Sequence, residues 1–258
     1  MLRPRIIPCL LVKDKGLVKT VRFSEGKYVG DPINAVRIFN EKEADELMVL
    51  DLDATTKGTG PDYKMIENLA RECRMPLAYG GGVRSLEQAR RIIGLGVEKV
   101  SIGAAAVEAP EIISGIASEI GSQSIVAVLD VRKKLLGGYE VCTRNAMVRT
   151  GIDPIKLASE LENRGIGEIV INSIDHDGMM SGYDISLAKK IREVTSVPLT
   201  ILGGAGSLDD IGLLIREFGI IGAAAGSLFV FKGKYKAVLI NYPDAAEKDR
   251  LIERYATK

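Results

Sequence analysis

Asp130 closes the apolar run Ile125-Val126-Ala127-Val128-Leu129-Asp130, where a carboxylate could serve as general acid or base. The other reading is a carboxylate capping a nearby loop. Laying one half of the chain on the other puts Pro8-Cys9-Leu10-Leu11 on Ala127-Val128-Leu129-Asp130, so the counterpart of Asp130 is Leu11. A site with an acid on each side would need Asp at both positions. Glycine clusters form a second group. Gly80-Gly81-Gly82 and Gly103-Ala104 are mirrored by Gly203-Gly204-Ala205-Gly206 and Gly226-Ser227, and Asp177-Gly178 lies between the sets. Glycine lets backbone N–H groups approach an anion, and a following helix start adds a favourable dipole. Gly82, Gly103, Ala104, Asp177, Gly178, Gly204, Gly226 and Ser227 are the candidate phosphate ligands, and two mirrored sets suit a ligand with two phosphates. The alternative is that the glycines only make tight turns. Ser227 adds a hydroxyl that Gly103-Ala104 lacks. A third group is Arg5, Glu46, Lys99 and Glu168, each starting an apolar run. They suit either a balanced polar gate or solvated strand ends. Further polar candidates are Lys19, Asp51, Asp53, Asn172, Ser173, Asp175 and Asp177. His176 is the only histidine and suits a rim position better than a nucleophile's base. Cys9 is most simply a small core residue.

The elements that must position these residues alternate. Strands are expected at Arg5–Val12, Leu47–Leu52, Leu77–Tyr79, Lys99–Ile102, Ile125–Asp130, Glu168–Asn172, Leu199–Leu202 and Ile221–Ala225. Most are continuous apolar runs, as strands covered on both faces are. Helical patterns fall at Pro32–Glu43, Asp62–Cys73, Ser85–Leu95, Pro110–Ile120, Asp153–Asn163, Ile185–Val194 and Leu208–Phe218. Asp31-Pro32 and Asp153-Pro154 fit an N-cap followed by proline at the first helical position. This order predicts an α/β fold, a (β/α)8 barrel, over an open doubly wound sheet. The repeat makes it two half-barrels: Gly81-Gly82-Val83-Arg84-Ser85 maps on Gly203-Gly204-Ala205-Gly206-Ser207, and Ser101–Ala106 maps on Ile220–Ala225. One barrel domain over residues 1–258 is expected. In a barrel the chemistry sits on the loops after the strands, and the opposite end carries stability residues.

Composition sets the limits. Lys plus Arg is 35 against 34 for Asp plus Glu, which argues against a nucleic-acid partner. No apolar run approaches the ~20 residues of a membrane span, and the start does not read as a signal peptide. Cys9, Cys73 and Cys142 are odd in number and widely spaced, which suits a reducing, cytoplasmic setting with neither disulfides nor zinc. No cofactor or metal is expected.

The chain resembles the cyclase subunit of imidazole glycerol phosphate synthase over nearly its whole length. The match is carried by Arg-Ile-Ile-Pro-Cys-Leu (5–10), Gly-Gly-Gly-Val (80–83), Glu-Lys-Val-Ser-Ile (98–102), Ser-Ile-Asp-His-Asp-Gly (173–178) and Gly-Gly-Ala-Gly (203–206). The resemblance implies a glutaminase docked at the barrel floor. It implies ammonia passing a four-residue gate of Arg5, Glu46, Lys99 and Glu168, then the barrel axis, to react at the mouth with a bisphosphorylated ribonucleotide of histidine biosynthesis. It implies that Asp130 is one of two catalytic aspartates and that Lys19 acts from a mobile first loop.

The departures are specific. The resemblance puts the other catalytic aspartate at position 11, where this chain has Leu. It puts Asn and Thr where this chain has Gly103 and Ala104. General acid–base catalysis is worth about 10² to 10⁴, so the missing acid is expected to be severe. This pattern is similar to a divergent branch that accompanies a glutaminase and a sugar amidotransferase in bacterial surface-polysaccharide synthesis. The leading expectation is a barrel that channels ammonia toward such an acceptor. A competent cyclase of histidine biosynthesis and a non-catalytic glutaminase scaffold are the alternatives.

Overall fold

The computed structural model describes residues 3–255; the ends of the expected 1–258 domain, 1–2 and 256–258, lie outside the described residues. Its barrel strands are β1 (Arg5–Lys13), β2 (Leu47–Asp51), β3 (Leu77–Gly80), β4 (Lys99–Ile102), β5 (Ile125–Lys133), β6 (Glu168–Ser173), β7 (Leu199–Leu202) and β8 (Gly222–Ala225). Each pairs in parallel with the next, and β8 pairs with β1 to close the barrel. The principal helices are α1 (Pro32–Glu41), α2 (Tyr63–Glu72), α3 (Leu86–Gly94), α4 (Ile112–Ile120), α5 (Pro154–Asn163), α6 (Ile185–Arg192), α7 (Leu208–Phe218) and α8 (Ala245–Tyr255). The fold is a (β/α)8 barrel. No helix among the described residues is long and apolar enough to cross a membrane.

The continuous apolar strands have two destinations. In β1, Ile6, Leu10 and Val12 join the layer between strands and helices, whereas Ile7, Cys9 and Leu11 face the barrel interior with Met48, Val126, Val170 and Ala224. Alternation thus exists, but both faces bury apolar groups, so it leaves no polar trace in the sequence. The repeat also acquires a structural meaning. Ser85 caps α3 by accepting from the Gln88 N–H at 3.3 Å, and its counterpart Ser207 caps α7 from the Asp210 N–H at 3.2 Å. Asp31 and Asp153 cap α1 and α5 ahead of Pro32 and Pro154, as their spacing indicates.

Several boundaries and elements differ from expectation. β8 begins at Gly222 instead of Ile221, and α4 at Ile112 instead of Pro110. The loop after β1 folds back as strands Gly16–Lys19 and Lys27–Gly30, and the loop after β5 as Tyr139–Thr143 and Val148–Arg149. These strands are short and carry glycine and charge, so their pattern is weak. Helix α8 is charge-rich. It buries Leu251 and Lys248, and its Tyr255 ring lies where a side chain at Gly212 of α7 would stand.

Candidate functional site

The lower end of the barrel gathers four charges. Strand alternation turns Arg5, Glu46, Lys99 and Glu168 inward at the strand starts, and together they bring two positive and two negative charges. Lys99 Nζ is 2.9 Å from both oxygens of Glu46 and 2.9 Å from Glu168 Oε2. Arg5 Nη2 donates to Glu168 Oε1 at 2.7 Å, and Arg5 Nη1 to Glu46. Thr200 of β7 donates its hydroxyl to Glu168 Oε1 at 2.6 Å. Glu46 and Glu168 are only 2% and 4% exposed, so desolvation is severe and the pairing must offset it. Burial alone would raise the Glu168 carboxyl, but Arg5, Lys99 and Thr200 hold it below the ordinary range. Burial likewise works against the Arg5 charge, and Glu168 and Glu46 more than restore it. The strand ends are therefore not solvated charges. Thr200 is a member of this cluster that the sequence reading missed. Its inward position could have been found from alternation with Leu202. Gly222 of β8 is required beside it, because a Cβ there would collide with the Thr200 hydroxyl.

Above this layer the interior is apolar: Ile7, Met48, Ala78, Val126, Val170 and Ala224. It opens at the C-terminal strand ends into a cavity of about 470 Å³. Asp130, Leu11, Lys19, Gly82, Gly103 and Ala104 all line it. Leu11 is buried and packs with Val18 and Leu202. Asn172 of β6, in register with Asp130 of β5, donates Nδ2 to Asp130 Oδ1 at 2.9 Å. The Asp130 carboxyl is pushed up to about 7 by burial, against the Asn172 hydrogen bond and with help from the negative charge of Asp177. A carboxyl at that level can give or take a proton near neutral pH. Among the described residues no loop N–H is seen donating to it. Cys9 does not sit only in the core: it reaches the cavity, and burial raises its thiol to about 12, which leaves it a poor nucleophile.

A smaller pocket adjoins the cavity on the second-half side. Asp177, Gly178, Gly204, Gly226 and Ser227 line it together with Lys19. Lys19 is 7% exposed and its Nζ lies 3.3 Å from Asp177 Oδ1, while Thr20 donates to Asp177 Oδ2 at 2.6 Å. A Cβ at Gly226 would stand 2.7 Å from Lys19 Nζ, so glycine is what lets the ammonium close over this loop. The first-half loop is poorer. Gly103 caps the short helix Ala104–Glu108 without a side-chain bond, and the Gly82 N–H is taken by Thr55 Oγ1 at 3.2 Å. The structure thus brings all eight phosphate candidates to one rim, in two unequal groups.

The remaining rim candidates make local hydrogen bonds, and two of them, Asp51 and Asp53, also line the mouth cavity, where burial raises the Asp51 carboxyl. Asp51 caps the short helix Leu52–Thr56, Asp53 accepts from the Asp14 N–H, and Asp175 accepts from the Lys133 N–H at 2.8 Å. His176 Nδ1 lies 2.9 Å from Ser173 Oγ, a pairing within one turn and away from Asp130's hydrogen bond. Thr143 and Ser101 also line the cavity and were not anticipated. Thr143 sits on a hairpin strand that the sequence did not reveal. Among the described residues no group of three or more His, Cys, Asp or Glu could hold a metal ion.

A family model described as "Histidine biosynthesis protein" matches residues 5–236. A Vibrio vulnificus protein provisionally named imidazole glycerol phosphate synthase subunit hisF3 is 56% identical over 254 residues, covering 98% of each chain. A Leptospira interrogans protein with the provisional name of that synthase's subunit HisF is 56% identical over 253 residues, 98% of this chain and all of the relative. The imidazole glycerol phosphate synthase subunit HisF of Natranaerobius thermophilus is 38% identical over 242 residues, 94% of this chain and 96% of the relative.

Proposed function

The chain belongs to the family of HisF-like imidazole glycerol phosphate synthase cyclase subunits, and from that premise we propose that it channels ammonia instead of cyclising the family's usual intermediate. In this reading residues 1–258 form one cytoplasmic barrel domain. A glutaminase docks at the floor, and Arg5, Glu46, Lys99 and Glu168 gate the entry of ammonia. Ammonia travels past the small apolar side chains of the axis and leaves at the mouth. A sugar amidotransferase of surface-polysaccharide synthesis receives it there. The single observation that carries the reading is Leu11, an apolar side chain buried in the same cavity as Asp130. Of the repeat-related positions 11 and 130 only the second carries a carboxylate here, while the floor keeps all four charges paired.

A phosphorylated ligand is retained in the proposal through Gly204, Gly226, Ser227, Asp177 and Gly178 with Lys19. Gly82, Gly103 and Ala104 would contribute only weakly. A second reading is a working cyclase, favoured by the Asp130 carboxyl standing at about 7. The test is co-expression with a glutaminase subunit of this synthase family. The channel reading expects glutamine hydrolysis faster in the complex than with the glutaminase alone, and no rescue of a histidine auxotroph lacking its cyclase. Rescue at ordinary growth rate, with glutamine hydrolysis unchanged by the barrel, would sink it.

A further inference from the structure

At the floor, β1 and β2 are joined by side chains instead of main chain. Their parallel pairing begins at Cys9 and Met48 and runs upward to Val12 and Asp51. Continuing that register downward sets Ile6 beside Asp45. Neighbouring residues of a strand turn their N–H and C=O to opposite sides. The Arg5 N–H is spent on the β8 side, at Ile221 O, 3.0 Å away, so Ile6 and Pro8 turn toward β2. Pro8 has no N–H to give, and the ladder ends there. Among the described residues no main-chain bond joins Ile6 to β2.

The C-terminal segment fills the gap. The Ile6 N–H donates to Asp45 Oδ2 at 2.9 Å, and the Tyr242 hydroxyl donates to Ile6 O at 2.8 Å. The same hydroxyl accepts from the Asp45 N–H at 3.2 Å. One phenol thus spans the two strand starts, using both its donor and its acceptor. Lys248 of α8 completes the bridge. Its ammonium is 2.7 Å from Asp45 Oδ1, so both oxygens of that carboxylate are engaged, and 2.9 Å from the carbonyl oxygen of Glu43. Glu43 has a φ of 52°, in the left-handed region that side chains disfavour, and the bond to its carbonyl helps hold it there. Tyr242 and Lys248 are both buried, and the Tyr242 ring is seated on Phe39 and Phe229, with centroids 6.3 and 5.2 Å away. Both residues lie beyond the segment 5–236 that the family model matches.

Arg5 precedes Ile6 and Glu46 follows Asp45, so the bridge stands one residue from two of the four floor charges. We propose that Tyr242 and Lys248 are positioning residues for the floor: they set the spacing of the β1 and β2 starts, and through it the pairing of Arg5 and Lys99 with Glu46. With the bridge cut, the Ile6 and Asp45 backbones lose their shared partner, the strand starts part, and Glu46 loses its fixed place between two cations. The proposal rests on the gate reading above only for what the closed layer does; the bridge itself is tested on the free chain.

The test is Tyr242→Phe, which removes the hydroxyl and keeps the ring on Phe39 and Phe229. Proton exchange of the Lys99 ammonium and the Arg5 guanidinium is followed by 15N NMR on the intact purified chain, and urea denaturation reads global stability. Exchange at both groups should quicken by about tenfold, the scale of one to two lost hydrogen bonds. Lys248→Met should quicken it as well. Leu187→Ala, a buried residue in the first turn of α6, is the control: it costs stability through a cavity and should leave both groups as they are. Exchange unchanged in Tyr242→Phe, or quickened no more than in Leu187→Ala, would make the bridge an ordinary part of the fold and overturn the proposal. Quickened exchange in a chain that stimulates no glutaminase upholds the bridge while removing the function proposed above. Glutaminase stimulation with exchange unchanged removes the bridge alone.

Discussion

The floor and the mouth of the barrel are both lined by inward-facing strand residues, yet they handle charge in opposite ways. At the floor, two carboxylates are taken out of water beneath two partly buried cations, and each charge finds a counter-charge within hydrogen-bond distance. At the mouth, Asp130 is buried against the Asn172 amide with the negative charge of Asp177 nearby, and its counterpart in the repeat is leucine. Pairing depresses the Glu168 carboxyl, whereas lone burial raises that of Asp130. The difference teaches that the floor is complete as a charged layer, while the mouth keeps a carboxylate on one side of the repeat and leucine on the other. The repeat places equivalent backbone at both sides of the mouth, but side chains have diverged on it.

The largest expected effect comes from restoring the missing half. Leu11→Asp places a second carboxylate in the cavity and should raise turnover of the bisphosphorylated histidine intermediate by about 10² to 10⁴ over the unaltered chain. Steady-state assays with ammonia read this directly. No gain would move the defect to Gly103-Ala104. Breaking the floor comes next. Glu168→Leu leaves Arg5 and Lys99 with too little negative charge and should cost about 3–5 kcal/mol in urea denaturation at neutral pH. A loss below about 1 kcal/mol would mean that the layer is solvated like a surface pair.

Asp130→Asn sharpens the contrast through pH. The folded carboxyl stands at about 7 and the unfolded one near 4, so the folded state holds the extra proton between them. Stability of the unaltered chain therefore falls as pH rises from about 4 to 7, the reverse of a paired carboxylate. The asparagine variant should lose that slope and be more stable at alkaline pH by roughly 1–3 kcal/mol. Thermal melts of both chains across that window check it, and parallel curves would contradict the assignment. The smallest effect is Thr200→Val, which removes the hydroxyl donated to Glu168 and should cost about 1.5 kcal/mol in the same urea assay.

Much of this was legible in the chain itself. The eight strands showed as apolar runs, and the matching Gly-Gly and Ser85/Ser207 segments marked equivalent loops and caps. The floor charges stood out because a charge opening an apolar strand is conspicuous. Their burial did not show, since inward and outward faces of these strands read alike. Thr200 could be placed inward only by alternation with Leu202, and its bond to Glu168 depends on the packing of the closed barrel. Asn172 was noticed as a rim residue, but its bond to Asp130 depends on the register of β5 and β6, which no local pattern encodes. Thr143 lies on a short hairpin strand, and α8 is so rich in charge that its few buried residues carry little periodic signal.

The central claim is that the mouth has lost cyclisation while the floor is intact. The most direct measurement gives the unaltered, purified chain ammonia and the bisphosphorylated intermediate of histidine biosynthesis, and follows formation of imidazole glycerol phosphate. The account predicts turnover lower than that of the Leu11→Asp variant by a factor of about 10² or more. Turnover by the unaltered chain at an ordinary enzyme rate of about 1 per second or faster would contradict it.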